Sequence, residues 1–339
     1  MSALTNDKVS LLDWARRVDP DGRIATVAET LTRYDEILDD ITFMEGNLPT
    51  GHKTTVRASL PTPSWRLLNQ GVVRTKSTTN QITDVCGLME TYSEIDVDVA
   101  KLNGNTSAFR FSEDKPHIEG MGQEFGTTFV YGDTSVDPEK FVGLAPRYYS
   151  VSEGTTQGNV IDAGGTGNDN TSMWLVGWSA ETISGIFPKG SVAGLQVKDL
   201  GEQTALDDSN NPFQAYRTHF QWKPGIAVKD WRYVVRICNI DVSALLTAGD
   251  TSDSSANLLK HMSIAIDKLP PTGIAKVVFY ANNTVRSMLR VKMQNKSNLL
   301  MSLQDIMSPI SGFNRQTLHF QGVPVRRLDS IISTEARIT

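Results

Sequence analysis

The stretch that most constrains this chain runs from Asn47 to Lys76, NLPTGHKTTVRASLPTPSWRLLNQGVVRTK. It holds two β-like runs, Lys53–Leu60 and Trp65–Arg74, separated by Pro61-Thr62-Pro63. In the first run Thr55, Arg57 and Ser59 alternate with Val56, Ala58 and Leu60. That period of two predicts a strand with one covered face. The prolines fix φ and remove N–H donors, so the ladder must stop there. The stretch carries Lys53, Arg57, Arg66, Arg74 and Lys76 and no acid. An isolated two-stranded ribbon is marginal in water. It therefore needs a second surface, supplied by its own chain, by nucleic acid or by a neighbouring copy.

The rest of the chain bounds the choice. At 339 residues it can bury a substantial core, and its 39% hydrophobic and 21% charged residues are those of a globular protein. A net charge of −5 gives no global case for nucleic-acid binding. No apolar run of about 18 residues suggests a membrane span. The start, MSALTNDKVSLLDW, lacks the basic-then-apolar pattern of a secretory signal. Cys86 and Cys238 are few and far apart, which points to a reducing cytosol and free thiols.

In chain order, residues 24–41 read as a helix. Ile24, Val27, Leu31, Tyr34, Leu38 and Ile41 recur at alternating spacings of three and four, a seam against a partner. The other face holds Glu29, Asp35, Glu36, Asp39 and Asp40. Acids at the C-terminal end oppose the helix dipole. The segment is either an arm lying on other surfaces or an amphipathic core helix.

From Asp84 to Asp98 there are acids and no base, and Glu94–Val99 alternates like a strand. Such a run is a solvated face or a complement to the basic stretch. Ser112-Glu113-Asp114 predicts a helix start with Pro116 in its first turn, a stripe of Ile118, Met121, Phe125 and Phe129, and an end at Tyr131-Gly132-Asp133. Gly120, Gly122 and Gly126 weaken that helix and suggest a close backbone approach or a bend. Strands are expected around Met173–Trp178, Tyr216–Trp222 and Val228–Ile240. A helix over Ala256–Lys268, a strand at Ala275–Ala281, a helix from Thr284 to about Gln294 and a hairpin over Thr317–Arg327 complete an α+β chain.

No catalytic pattern is assembled. His52, His117, His219, His261 and His319 lie outside ligand spacing, so no metal site and no cofactor are expected. The loop Ala163–Asn170 lacks the spacings of a phosphate-binding loop, and no G-x-S-x-G elbow occurs. Cysteines among apolar neighbours read as inert thiols. A chain of this size with an arm and a basic ribbon, but no catalytic set, reads as a self-assembly protein.

The pieces NLPTGHKTTVR, SWRLLNQGV, EIDVDVAKLNG, DAGGTGNDNTSMWLVGW, GIFPKGSVAGL and WRYVVRICNIDVSAL, spread over nearly the whole chain, resemble the major capsid (coat) proteins of short-tailed bacteriophages. That resemblance implies the tailed-phage coat fold: an N-terminal arm (1–46), an extended hairpin loop (47–83), a peripheral domain with a spine helix (84–240) and an axial domain (241–339). It implies a non-enzymatic subunit whose hexamers and pentamers close into an icosahedral shell around double-stranded DNA, in the virion and assembled in the host cytoplasm. Scaffolding, portal and cement or decoration proteins would be its partners. Contact candidates are Lys53, Arg57, Arg66, Arg74 and Trp65 on the ribbon, and Ile24, Val27, Leu31 and Leu38 on the arm. Glycines and prolines at Gly46, Pro49, Gly51, Pro61 and Pro63 are expected to act as joints, and assembly is expected to be non-covalent. Two other readings are a nucleic-acid-binding module using the ribbon and Trp65, and an enzyme whose site forms only in the fold.

Overall fold

The computed structural model describes residues 35–102, 106–152, 156–207, 209–247, 257–271, 273–293, 301–307 and 314–339. Its elements begin with a 3-10 turn Glu36–Asp39, then β1 (Phe43–Glu45), β2 (Gly51–Ser59), β3 (Thr78–Val85) and β4 (Met89–Asp96). Helices α1 (Val97–Lys101) and α2 (Thr106–Tyr131) follow, then β5 (Val160–Asp162), β6 (Asn170–Trp178), β7 (Ile183–Phe187) and β8 (Gln196–Leu206). Next come β9 (Pro212–Trp222), β10 (Gly225–Val228), β11 (Val234–Asp241), α3 (Val242–Thr247) and α4 (Leu258–Lys268). The chain ends with β12 (Lys276–Ala281), α5 (Asn283–Met293), β13 (Met301–Met307), β14 (Asn314–Phe320) and β15 (Val323–Arg327). Two compact units result, and α2 contributes to both: its residues to Phe125 belong to the smaller and those from Gly126 to the larger.

The larger unit (35–87, 126–193 and 225–339) is built on a mixed sheet whose main path is β1-β7-β6-β12-β15-β14-β13. β6 is buried along its whole length, NTSMWLVGW, because β11 and β12 pair antiparallel to it. This is the continuous apolar run of a strand covered on both faces. Strands from both sides of residue 240 share this sheet. One core packs Met173, Leu175, Val235, Ile237, Phe279, Leu318 and Phe320 against Leu258, Met262, Val285 and Leu289 of α4 and α5. β14 returns into β15 through Gln321-Gly322, both at positive φ, as a tight hairpin turn requires. That hairpin, the strand Lys276–Ala281 and the helices Leu258–Lys268 and Asn283–Met293 lie where the sequence predicts them, within two residues at most ends.

The smaller unit contains α1, most of α2 and a three-stranded antiparallel sheet in the order β4-β9-β8. One face of that sheet meets α2: His117 stacks on Phe220, Phe125 packs on Trp222, and Asp114 accepts from the Thr218 hydroxyl at 3.3 Å. The other face pairs Glu94 with Arg217 at 2.6 Å and Glu90 with His219 at 3.3 Å, with Tyr92 stacked on His219. The acid run after the basic stretch thus has bases opposite it on β9, which the sequence alone does not place.

Several expectations change. The helix expected over 24–41 lies partly outside the described residues. Its described end is one 3-10 turn leading to β1, with Ile37 buried and Leu38 exposed, the reverse of the seam. Glu94–Val99 is not one strand: Asp96 ends β4 and caps α1, its carboxylate accepting the Asp98 N–H at 2.8 Å. The helix expected from Ser112 already runs from Thr106, which puts Pro116 in its interior. There the proline supplies no N–H to the turn before it. Nothing approaches a Cβ built at Gly120 or Gly122 within 4 Å, so neither marks a close crossing. Gly126 does, since a Cβ there would strike the Asp35 carboxylate and the Ser330 hydroxyl. The expected Val228–Ile240 strand is two, broken by a 3-10 turn at Trp231–Tyr233.

Candidate assembly surface

The ribbon forms, with a different second strand from the one expected. β2 pairs antiparallel with β3 from Gly51↔Val85 to Ser59↔Thr78, and Trp65–Arg74 is not a strand. Those residues lie in the tip, 60–77, which opens directly after Ser59 where the prolines end the ladder. The hydroxyls of Ser59 and Thr78 close its neck at 2.7 Å. β2 keeps the expected alternation only over its first part: Lys53, Thr55 and Arg57 are exposed and His52, Thr54 and Val56 partly covered, whereas Ala58 and Leu60, expected on the covered face, are exposed. β3, TTNQITDV, is so polar that its sequence gives little strand signal.

The tip is apolar as well as basic. Trp65 is fully exposed, and Leu60, Leu67, Leu68, Val72 and Val73 are exposed around it. Arg66 donates to the Gln70 carbonyl at 3.3 Å across a turn in which Asn69 is left-handed. Monomeric proteins rarely leave so many large apolar side chains together in water. The signal was present in SWRLLNQGVV, where Trp65, Leu67 and Leu68 break the alternation that a half-covered strand needs. Of the residues expected at contacts, Lys53 and Arg57 stand on the exposed face of β2, and Trp65, Arg66 and Arg74 lie in the tip. Leu38 is exposed away from the ribbon in sequence, and Ile24, Val27 and Leu31 lie outside the described residues.

The root of the ribbon is fixed. On the β3 leg, Asp84 is buried and its carboxylate accepts from Arg147 at 2.7 Å and from the Val228 N–H at 3.2 Å. On the β2 leg, β1 pairs parallel with β7, Lys189 N–H donates to the Leu48 carbonyl at 3.1 Å, and Gly190 N–H donates to Glu45 at 2.8 Å. Gly46 and Gly51 cross so closely that a Cβ on either would collide with backbone. These two glycines are packing positions in this structure. A cleft of about 720 Å³ lies between Thr54–Leu60 of the ribbon and a wall of Ala180, Glu181 and Lys229–Arg232. Burial, and after it the charge of Lys229, holds the His52 imidazole below its ordinary pKa.

Two buried ionic clusters hold the ends of the larger unit. In the first, Arg236 donates to Glu335 at 3.0 Å, to the Ser172 hydroxyl at 3.1 Å and to the Tyr148 carbonyl at 3.0 Å, and lies over the Trp174 ring. Tyr131 donates to Glu335 at 2.5 Å, and burial with that carboxylate beside it raises the phenol far above its ordinary pKa. In the second, Glu36 and Asp40 are buried against Arg286, Arg326, Lys276 and Tyr280. The sequence places these acids on the helix face opposite the apolar seam. Nothing marked the bases, some 230 residues or more away in the chain, as their partners.

Among the described residues no group of His, Cys, Asp or Glu could hold a metal ion, and no helix is long and apolar enough to cross a membrane. Both cysteines are free, and burial pushes the Cys86 thiol up to about 11 and the Cys238 thiol to about 12.

Comparison with known proteins adds an independent line. The family model described as Major capsid protein GP7 matches residues 19–339. A chain in the near-atomic structure of bacteriophage Epsilon15 is 33% identical, covering 100% of this chain and 99% of its own, with a TM-score of 0.75. A chain of the bacteriophage JBD30 capsid is 10% identical over 89% of this chain and 93% of its own, with a TM-score of 0.48. No curated protein matches.

Proposed function

This chain belongs to the major capsid protein GP7 family and is a structural shell protein of a tailed phage; from that premise we propose that it assembles by laying its ribbon across a neighbouring copy. On this reading residues 47–83 are the extended loop, 84–240, with α2 as the spine helix, the peripheral domain, and 241–339 the axial domain. Hexamers and pentamers close into an icosahedral shell around double-stranded DNA. Scaffolding, portal and cement proteins act with it, and the shell forms in the host cytoplasm before it becomes the virion capsid. Lys53, Arg57, Arg66 and Arg74 steer the ribbon toward acidic surface, and Trp65 with Leu67 and Leu68 supplies the contact area. Arm residues Ile24, Val27, Leu31 and Leu38 are further contacts of this kind.

The observation that carries the reading is the tip: a rooted hairpin that ends in a fully exposed tryptophan among exposed leucines and valines. Aromatic anchors of this type dominate interface energies. Among the described residues no feature favours the nucleic-acid or enzyme readings, since the tip presents one aromatic and the cleft beside the ribbon is lined by Arg57, Glu181, Lys229, Asp230 and Arg232, of mixed sign.

The test compares two variants of the full chain by sedimentation and electron microscopy. R57E/R66E should slow assembly and make it salt-dependent, while W65S/L68S should abolish particles, and both should keep the wild-type melting temperature. Wild-type particle yield and geometry from both variants would remove the ribbon from the assembly contact.

A further inference from the structure

The segment 35–46 feeds the ribbon, and it is attached to the larger unit in an unusual way. Before β1 it makes the backbone bridge Asp35↔Leu328, accepts the Gly185 N–H at the Thr42 carbonyl at 3.0 Å, and buries Ile37. Much of its remaining attachment is carboxylate chemistry. Asp35 accepts from the Ser330 N–H at 3.0 Å and from the Ser330 hydroxyl at 2.5 Å. Glu36 faces Arg286 at 3.5 Å and Arg326 at 3.7 Å. Asp40 meets Lys276 at 2.6 Å, Arg326 at 3.3 Å and the Tyr280 hydroxyl at 3.1 Å. The pocket that receives them is already complete: Arg286 stands on α5, Arg326 on β15, and Lys276 and Tyr280 on β12, all elements paired or packed without the segment. Two carboxylates meet three bases there, so the pocket is left strongly positive whenever the segment leaves.

We propose that Glu36 and Asp40 form a releasable ionic latch that fixes the β2 leg of the ribbon to the sheet. The other leg is integral to the fold through Asp84, Arg147 and the Cys86↔Gly225 bridge. The β2 leg is held by the latch, by the short strand β1, three residues paired with β7, and by hydrogen bonds of Gly46 to Phe187, Lys189 to Leu48 and Gly190 to Glu45. Opening the latch therefore loosens one leg of a two-legged root at its start and lets the ribbon change its angle while the sheet stays folded. A unit held by few backbone bonds and few apolar contacts is the kind that opens locally before the core does. Opening leaves buried bases without these counter-charges, a cost that keeps the latch shut in the wild-type chain. This inference does not depend on the shell reading.

Hydrogen–deuterium exchange on the full chain tests it, with wild type, E36Q/D40N and E36Q/R286Q compared. The last variant removes one charge from each side and leaves no partner of that pair unmatched. In E36Q/D40N the amides of Asp40, Ile41 and Gly46, and then Cys86, which donates to the Thr50 carbonyl, should exchange at least roughly tenfold faster. Amides of β6 and β12 should keep their wild-type rates. E36Q/R286Q should show the same localisation with a smaller factor, and it decides the matter if E36Q/D40N does not fold. Acceleration spread equally over β6 and β12 would make the cluster ordinary core. No acceleration at 40–46 would mean that something else holds the segment. Either result overturns the latch.

Discussion

Removing the Glu335 carboxylate should destabilise the larger unit more than most single changes in this chain. Glu335 is 6% exposed and Arg236 4% exposed, at 3.0 Å from each other, with Tyr131 and Ser172 also donating to the carboxylate. In E335A the guanidinium remains buried without its counter-charge, a loss of about 3–5 kcal/mol. Arg236 keeps the Ser172 hydroxyl, the Tyr148 carbonyl and the Trp174 ring, so the lower end, about 3 kcal/mol, is expected. At roughly 2–4 °C per kcal/mol for a unit of this size, the transition should fall by about 6–12 °C. Calorimetry of unassembled protein reads this directly. The double variant R236M/E335L, which leaves no charge behind, should recover half or more of the loss. An E335A transition within about 2 °C of wild type, or a double variant worse than E335A, would refute the claim that the pair is held by mutual compensation.

Gly120→Ala and Gly122→Ala should each raise stability by about 0.5–1 kcal/mol, because both sit in α2 with open space beside them. Gly126→Ala, in the same helix, should instead lower it by about 1–3 kcal/mol through collision with Asp35 and Ser330; equal signs at the three positions in urea titrations would contradict the packing. Stability should also fall at alkaline pH. Burial raises the Cys86 and Cys238 thiols to about 11 and about 12 from an ordinary value near 9, so above pH 9 the unfolded chain releases protons that the folded chain retains, and the loss grows as pH rises toward 11–12. Guanidinium midpoints from pH 8 to 11 should decline, and less steeply in C238A; a flat profile would count against it. At pH 8 the buried Cys238 thiol should not react with a thiol reagent until the protein is denatured, and the partly buried Cys86 thiol should react only slowly.

Much of the fold is legible because long apolar runs and turn residues act locally. MWLVGW announces β6, Gln321-Gly322 announces the hairpin, and Tyr131-Gly132 ends α2 where expected. The second ribbon strand was misplaced because β3 has almost no apolar residues and is held by pairing with β2, a non-local cause. The tip reads as a strand because its valines and aromatic have high strand propensity, although among the described residues no strand pairs with it. The burial of Glu36 and Asp40 is not legible for the opposite reason. Acids are normally solvated, and only the arrival of Arg286, Arg326 and Lys276 from the far end of the chain makes their burial tolerable. Gly46 and Gly51 show the same limit, since a glycine that flexes and a glycine that lets two backbones touch are identical in sequence.

The most direct test of the account is oxidative footprinting of Trp65 in assembled particles and in dissociated subunits. The side chain is fully exposed in the single chain, so it should oxidise rapidly in dissociated subunits and be strongly protected in particles, where a neighbouring copy covers the tip. Equal reactivity in the two states would contradict the claim that the ribbon is the contact on which the shell is built.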